Sequence, residues 1–76
     1  MEYILVNVKL DKERVIELKI PGEIKARELI DMLDEVFHVK AGGKKALHVE
    51  PLGRILGDEE VLMDEGVHSG SQISLL

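Results

Sequence analysis

The sequence has 76 residues, 45% of them apolar and 33% charged, with one Tyr, one Phe and no Trp. That length carries a single domain, 1–76, whose core must be built from Ile, Val, Leu and Met, and the apolar content excludes a disordered chain. With no Cys, disulfides, thiolate zinc sites and thiol chemistry are excluded; ten Lys and Arg against fifteen Asp and Glu, a formal charge of −5, weigh against nucleic acid and anionic lipid as partners.

From Tyr3 to Leu10 the chain alternates, with Ile4, Val6, Val8 and Leu10 on one face and Tyr3, Leu5, Asn7 and Lys9 on the other, the period-two pattern of a strand. The apolar Tyr3 and Leu5 on its second face place this strand centrally in its sheet. Because no basic start leads into a long hydrophobic run, neither a signal peptide nor a membrane span is expected. Asp11-Lys12-Glu13-Arg14 is a polar turn, after which Val15 to Ile20 alternates again, so the first twenty residues form a β-hairpin.

Pro21-Gly22 ends that strand. The period then changes: Ala26, Leu29, Ile30, Leu33 and either Val36 or Phe37 recur at steps of three and four, which predicts an amphipathic helix. Glu23 lies near its positive end, and Gly42-Gly43 falls a few residues beyond its C-terminus. Lys40, Lys44 and Lys45 around those glycines read as a solvated loop.

Ala46 to Glu50 alternates once more, Pro51-Leu52-Gly53 turns the chain, and Ile55-Leu56 makes a very short fourth strand. Val61 to Val67 is expected to form one helical turn closed by Gly66. The last strand runs from Gln72 to Leu76, with Ile73 and Leu75 facing the core. The order β-β-α-β-β-turn-β describes an α+β domain in which one helix covers a mixed sheet of four to five strands.

This order of elements, together with Val61-Leu62-Met63-Asp64-Glu65-Gly66-Val67-His68-Ser69-Gly70-Ser71-Gln72-Ile73-Ser74-Leu75-Leu76, resembles the ubiquitin-like β-grasp superfamily. Within it the C-terminal pattern from Gly66 to Leu76 is most similar to the YukD and EsaB proteins of bacterial type VII secretion systems, with Ser71 where Asp is usual. The resemblance implies a last strand parallel to the first, setting Ile73 and Leu75 beside Ile4, Val6 and Val8. It also implies a cytoplasmic accessory of a machine that exports WXG-motif proteins, with a protein partner and no enzymatic chemistry.

A modifier or sulfur carrier, the alternative within the superfamily, needs a flexible Gly-Gly tail for adenylation. Leu75-Leu76 stands there instead, with Leu76 expected to lie against the sheet. A third reading is a small regulatory subunit of an enzyme complex. Ubiquitin's main docking surface is an apolar patch on the open sheet face, centred on an Ile of the third strand. The similar position here is His48, and the first hairpin turn has no Leu. The expected partner surface is therefore a different outward-facing set, Tyr3, Leu5, Val15 and His48, beside Ser74.

No cofactor is expected. His38, His48 and His68 fall in different elements and read as surface or partly packed side chains, not as a zinc set. Asp58, Glu59, Glu60, Asp64 and Glu65 lack the spacing of a calcium loop and form a solvated acidic edge that could meet a basic partner. Ser69, Ser71 and Ser74 have no base and orienting acid in sequence reach, and Gly53, Gly66 and Gly70 are isolated turn residues, so catalysis is not indicated.

Overall fold

The computed structural model describes residues 2–39 and 46–76; the loop with Lys40, Gly42-Gly43, Lys44 and Lys45 lies outside them. The alternating segments become β1 (Tyr3–Lys9), β2 (Val15–Pro21), β3 (Leu47–Glu50), β4 (Arg54–Leu56) and β5 (Gln72–Leu75), and the amphipathic segment becomes α1 (Ala26–Phe37). The strands form one sheet in the order β2-β1-β5-β3-β4, with β1 and β5 parallel and the other pairs antiparallel. A single 3₁₀ turn, Met63–Glu65, closes on Gly66 in the left-handed region (φ 93°), where a residue lacking Cβ meets least resistance.

Because side chains alternate along a strand, only one face of each is apolar enough to bury. Ile4, Val6 and Val8 of β1, Ile20 of β2, Leu47 and Val49 of β3, Leu56 of β4 and Ile73 of β5 form one core with Ala26, Leu29 and Leu33 of α1 and with Leu10, Val39, Leu62 and Val67. Phe37 joins the helix stripe, whereas Val36 is 56% exposed.

The ends of α1 are satisfied by the rest of the fold. At its start the N–H groups of Ala26 and Arg27 donate to the carbonyls of Glu60 and Asp58, and Glu28 Oε1 accepts from the N–H of Lys25; the acidic residue serving the first turn is thus Glu28, not Glu23. At its end His38 takes a left-handed conformation (φ 52°), so Gly42-Gly43 fall a few residues beyond the helix in the sequence, as expected. Arg14 Nη1 reaches across from the hairpin turn to the Phe37 carbonyl, bringing a cation to the negative end of the helix. Arg14 is itself held by Asp11, whose Oδ1 accepts from the N–H groups of Glu13 and Arg14 and whose Oδ2 accepts from Arg14 Nε at 2.8 Å.

β1 is flanked on both sides, as expected, and Tyr3 and Leu5 are exposed on its outer face. Two expectations need correction. The parallel register pairs Val8 with Ile73 and Lys9 with Ser74, so Ile4 and Val6 lie before the start of β5 and are not beside it. Leu75 is half-buried opposite Leu47; Leu76 exchanges backbone hydrogen bonds with Ala46, but its side chain is 59% exposed instead of lying against the sheet.

Candidate interaction surface

The helix covers one face of the sheet and leaves the other open. On that open face the registers align residues in rows across the strands. One row crosses the whole sheet: Val15 of β2, Lys9 of β1, Ser74 of β5, His48 of β3 and Ile55 of β4. The next is polar, running Glu17, Asn7, Gln72, Glu50. Beyond it Lys19 stands opposite Leu5 and Pro21 opposite Tyr3.

The four residues expected to form a partner surface therefore share one face but not one spot. Tyr3 and Leu5 lie at one end of β1, with Lys19 Nζ 5.3 Å from the Tyr3 ring centroid. Val15 and His48 belong to the row through Lys9, which at strand spacing is about 20 Å along β1 from Tyr3. His48 is half-buried, with its Nδ1 4.0 Å from Glu50 Oε1. Two apolar ends thus bracket a polar belt.

Ile55 is a member of this face that sequence reasoning misses. In the sequence it is half of a short apolar pair with nothing to say which way it points. The register puts Leu56 opposite Leu47 in the core, which turns Ile55 outward beside His48, 52% exposed. The alternation Arg54-Ile55-Leu56 carried that signal in principle, but three residues are too few to fix a phase without knowing the register.

The acidic edge is largely neutralised within the molecule. Arg54 lies between Glu60 and Glu65: Nη1 and Nη2 donate to Glu60 Oε1 and Oε2 at 3.1 and 3.3 Å, and Nη2 also donates to Glu65 Oε1. Glu59 is paired with Lys25 at 3.0 Å and with Arg27 at 2.8 Å. These contacts tie β4, the helix start and the 3₁₀ turn together, and among the described residues leave Asp58 and Asp64 as the carboxylates of this edge without such a pair. An edge committed inward has less charge to offer a basic partner.

The Arg54 guanidinium, with the N–H of Gly57 bonded to Oε1 at 2.6 Å, pulls the Glu60 carboxyl from 4.5 down to about 2. A folded-state pKa below the unfolded one gives stability that is fully present above the ordinary glutamate range and lost as pH falls toward about 2. Glu60→Gln is therefore expected to lose less stability than the parent protein as pH is lowered through that interval, in urea unfolding followed by circular dichroism. An identical acid limb for both proteins would contradict the ion-pair assignment. Hydrogen bonds from Glu13 N–H and Arg14 lower Asp11 likewise, and the bond from Lys25 lowers Glu59, so the parent's acid limb is not due to Glu60 alone.

The two serines and the one histidine of the last loop interact with the backbone. Ser69 Oγ accepts from the N–H of Leu5 at 3.1 Å, and the buried Ser71 Oγ accepts from the N–H of His68 at 3.1 Å. His68 Nδ1 lies 2.8 Å from the Ser69 carbonyl, which fixes the proton on that nitrogen, since a carbonyl can only accept. Among the described residues no group of His, Asp and Glu side chains is arranged to hold a metal ion, and no helix is long and apolar enough to cross a membrane.

A family model described as "WXG100 protein secretion system (Wss), protein YukD" matches residues 3–75. The chain belongs to the YukD family. None of the curated protein sequences matches it. Among solved structures, this YukD-family chain is similar to the ubiquitin-like domain of the Mycobacterium tuberculosis type VII secretion system protein ECCD1, at 24% identity and a TM-score of 0.74, over 100% of this chain and 99% of that one. It is also similar to the N-terminal ubiquitin-like domain of the 4931431F19Rik protein, at 23% identity and a TM-score of 0.80, over 97% of this chain and 73% of that one. At 19% identity and a TM-score of 0.74 it matches the ubiquitin-like domain of the Arabidopsis thaliana protein At2g32350, over 100% of this chain and 78% of that one. At such identities these likenesses concern the fold, which is the ubiquitin-like β-grasp.

Proposed function

We propose that this YukD-family domain is a non-catalytic protein-binding module, a cytoplasmic accessory that docks another component of a WXG100-type secretion system through its open sheet face. The observation that carries the proposal is the exposure on one face of Tyr3 (52%), Leu5 (47%), Val15 (58%) and Ile55 (52%), with His48 in the row that joins Val15 to Ile55. Large apolar side chains gathered on one face beside polar groups suit a protein partner. The polar chemistry elsewhere favours the same reading, because Ser69, Ser71, His68 and the paired carboxylates already hold backbone or guanidinium groups.

The test is titration of the isotope-labelled domain with the soluble cytoplasmic part of a secretion component encoded beside it. Amide shifts are expected to move at Tyr3, Leu5, Val15, His48 and Ile55, while those on the exposed face of α1 stay in place. Leu5→Asp and His48→Asp should each weaken binding by roughly tenfold or more, because each buries an unpaired carboxylate at one end of the proposed contact. Shift changes confined to α1 or to the Asp58–Glu65 segment would remove the proposed surface.

A further inference from the structure

Among the described residues the outer edge of β2 is the long unpaired edge of the sheet. β2 has seven residues, whereas β4 at the other edge has three. Which backbone groups β2 leaves free follows from its pairing with β1. Flanking the seven aligned pairs, the N–H of Leu10 donates to the carbonyl of Arg14 at 2.9 Å, and the N–H of Gly22 donates to the carbonyl of Glu2 at 2.8 Å. Hydrogen-bonded pairs alternate with non-bonded ones in an antiparallel ladder, and the register between these two points is unbroken. The bonded residues of β2 are therefore Ile16, Leu18 and Ile20. The N–H and C=O groups of Val15, Glu17 and Lys19 point away from the sheet, while the C=O of Pro21 accepts from the N–H of Ile24 at 3.2 Å. Pro21, lacking an N–H, occupies a position where the ladder to β1 needs none.

We propose that this edge pairs with the same edge of a second copy of this chain, antiparallel about a twofold axis through Leu18, joining two sheets into one. The sequence of β2 is self-complementary about that point. Glu17 of one copy stands opposite Lys19 of the other, and the reverse pair repeats it. Both are residues whose backbone groups point outward, so each pair exchanges two backbone hydrogen bonds as well as opposite charges. Val15 stands opposite Pro21 of the other copy, and Leu18 meets Leu18 at a close, non-bonded pair on the helix side, flanked by Ile16 against Ile20. Ile16 and Leu18 are only half-buried in the single chain, so this contact covers apolar surface left open at the edge.

The charges themselves select this occupant. Neither Glu17 nor Lys19 forms an ion pair among the described residues, since within the sheet they stand opposite Asn7 and Leu5. A one-residue slip of the pairing would bring the bonded residues of β2 to the interface, and a two-residue slip would set Glu17 opposite Glu17 or Lys19 opposite Lys19. The alignment about Leu18 matches the free backbone groups of Glu17 and Lys19, their charges and the apolar side at once. The proposal concerns the edge of β2 and is independent of docking on the open face.

Sedimentation velocity from about 10 μM to about 1 mM is expected to show a concentration-dependent monomer–dimer equilibrium. Glu17→Lys and Lys19→Glu should each weaken dimerisation by roughly tenfold or more, because two attractive pairs become two like-charge pairs. An equimolar mixture of the two variants should associate, since each chain then presents the complement of the other, and the doubly exchanged E17K/K19E protein should dimerise by itself. Hydrogen exchange gives an independent readout. Protection of the Glu17 and Lys19 amides should rise with concentration, while that of Ile16, Leu18 and Ile20 stays high throughout. A protein monomeric at every concentration, a dimer indifferent to either charge reversal, variants that fail to associate when mixed, or concentration-dependent protection at β4 instead of β2 would each overturn the proposal.

Discussion

Replacing Leu29 by Ala is expected to lower the unfolding free energy by about 2–5 kcal/mol, the range for a fully buried Leu whose cavity cannot close. In a domain of this size that corresponds to a fall in thermal midpoint on the order of 10–30 °C. Leu29 is 0% exposed and lies between Ala26 and Leu33 on the buried stripe of α1. One helix covers the inner face of the sheet, so no second layer can move in to fill the space that Leu29 leaves. Val36→Ala, on the same helix but 56% exposed, is the internal comparison and should change stability by less than about 0.5 kcal/mol. Urea unfolding of both variants measures the difference. A loss below about 1 kcal/mol for Leu29→Ala would mean that this stripe does not anchor the core as described.

The fold was legible because its periods are clean. Ile4, Val6 and Val8 alternate without a break, and Ala26, Leu29 and Leu33 keep helical spacing, so both elements declare their buried faces locally. What could not be read was whatever depends on register. The pairing of β1 with β5 joins residues more than sixty positions apart, and nothing local says whether Ile73 meets Val8 or Val6. The same gap hid Ile55, whose direction is set by Leu47 and Leu56, and it hid the distance between Tyr3 and His48 on the open face. The helix ends at Phe37, within the expected bounds, but the residue that caps it is not legible in the sequence. A Gly pair is the usual signal, whereas here His38 accepts the left-handed conformation and Arg14, distant in sequence, meets the last carbonyl.

The acidic segment teaches a related point about charge. In sequence Asp58, Glu59, Glu60, Asp64 and Glu65 look like a surface offered to solvent or to a basic partner. Their counter-charges, Lys25, Arg27 and Arg54, come from the helix start and from β4. Each pair is exposed and so weak singly, but together they join three elements near the 3₁₀ turn. Backbone contacts hold that turn as well: Leu62 N–H donates to the Ile24 carbonyl, Met63 N–H to that of Gly22 and Val67 N–H to that of Leu62.

Gly22→Ala tests that constraint. Gly22 is buried where the chain leaves β2, its N–H donating to the Glu2 carbonyl and its own carbonyl accepting from the N–H of Met63. A Cβ added there would lie 2.7 Å from Met63 Sδ and 3.3 Å from Met63 Cβ. The Sδ belongs to a flexible side chain and can swing away, but the Cβ is fixed by the 3₁₀ turn, so relief requires the turn to shift. Destabilisation by about 1–3 kcal/mol is expected, the usual cost of overpacking a tight contact. Met63→Ala removes Sδ while keeping the Cβ, and so divides the effect. If the side chain is the main obstacle, the double variant G22A/M63A will be markedly more stable than the sum of the single losses predicts; if the backbone approach dominates, the losses will add. The 2.7 Å and 3.3 Å contacts together favour partial coupling, with the double variant recovering some but not all of the loss caused by Gly22→Ala. Gly22→Ala without measurable effect would show that β2 and the 3₁₀ turn are not held as closely as these distances require.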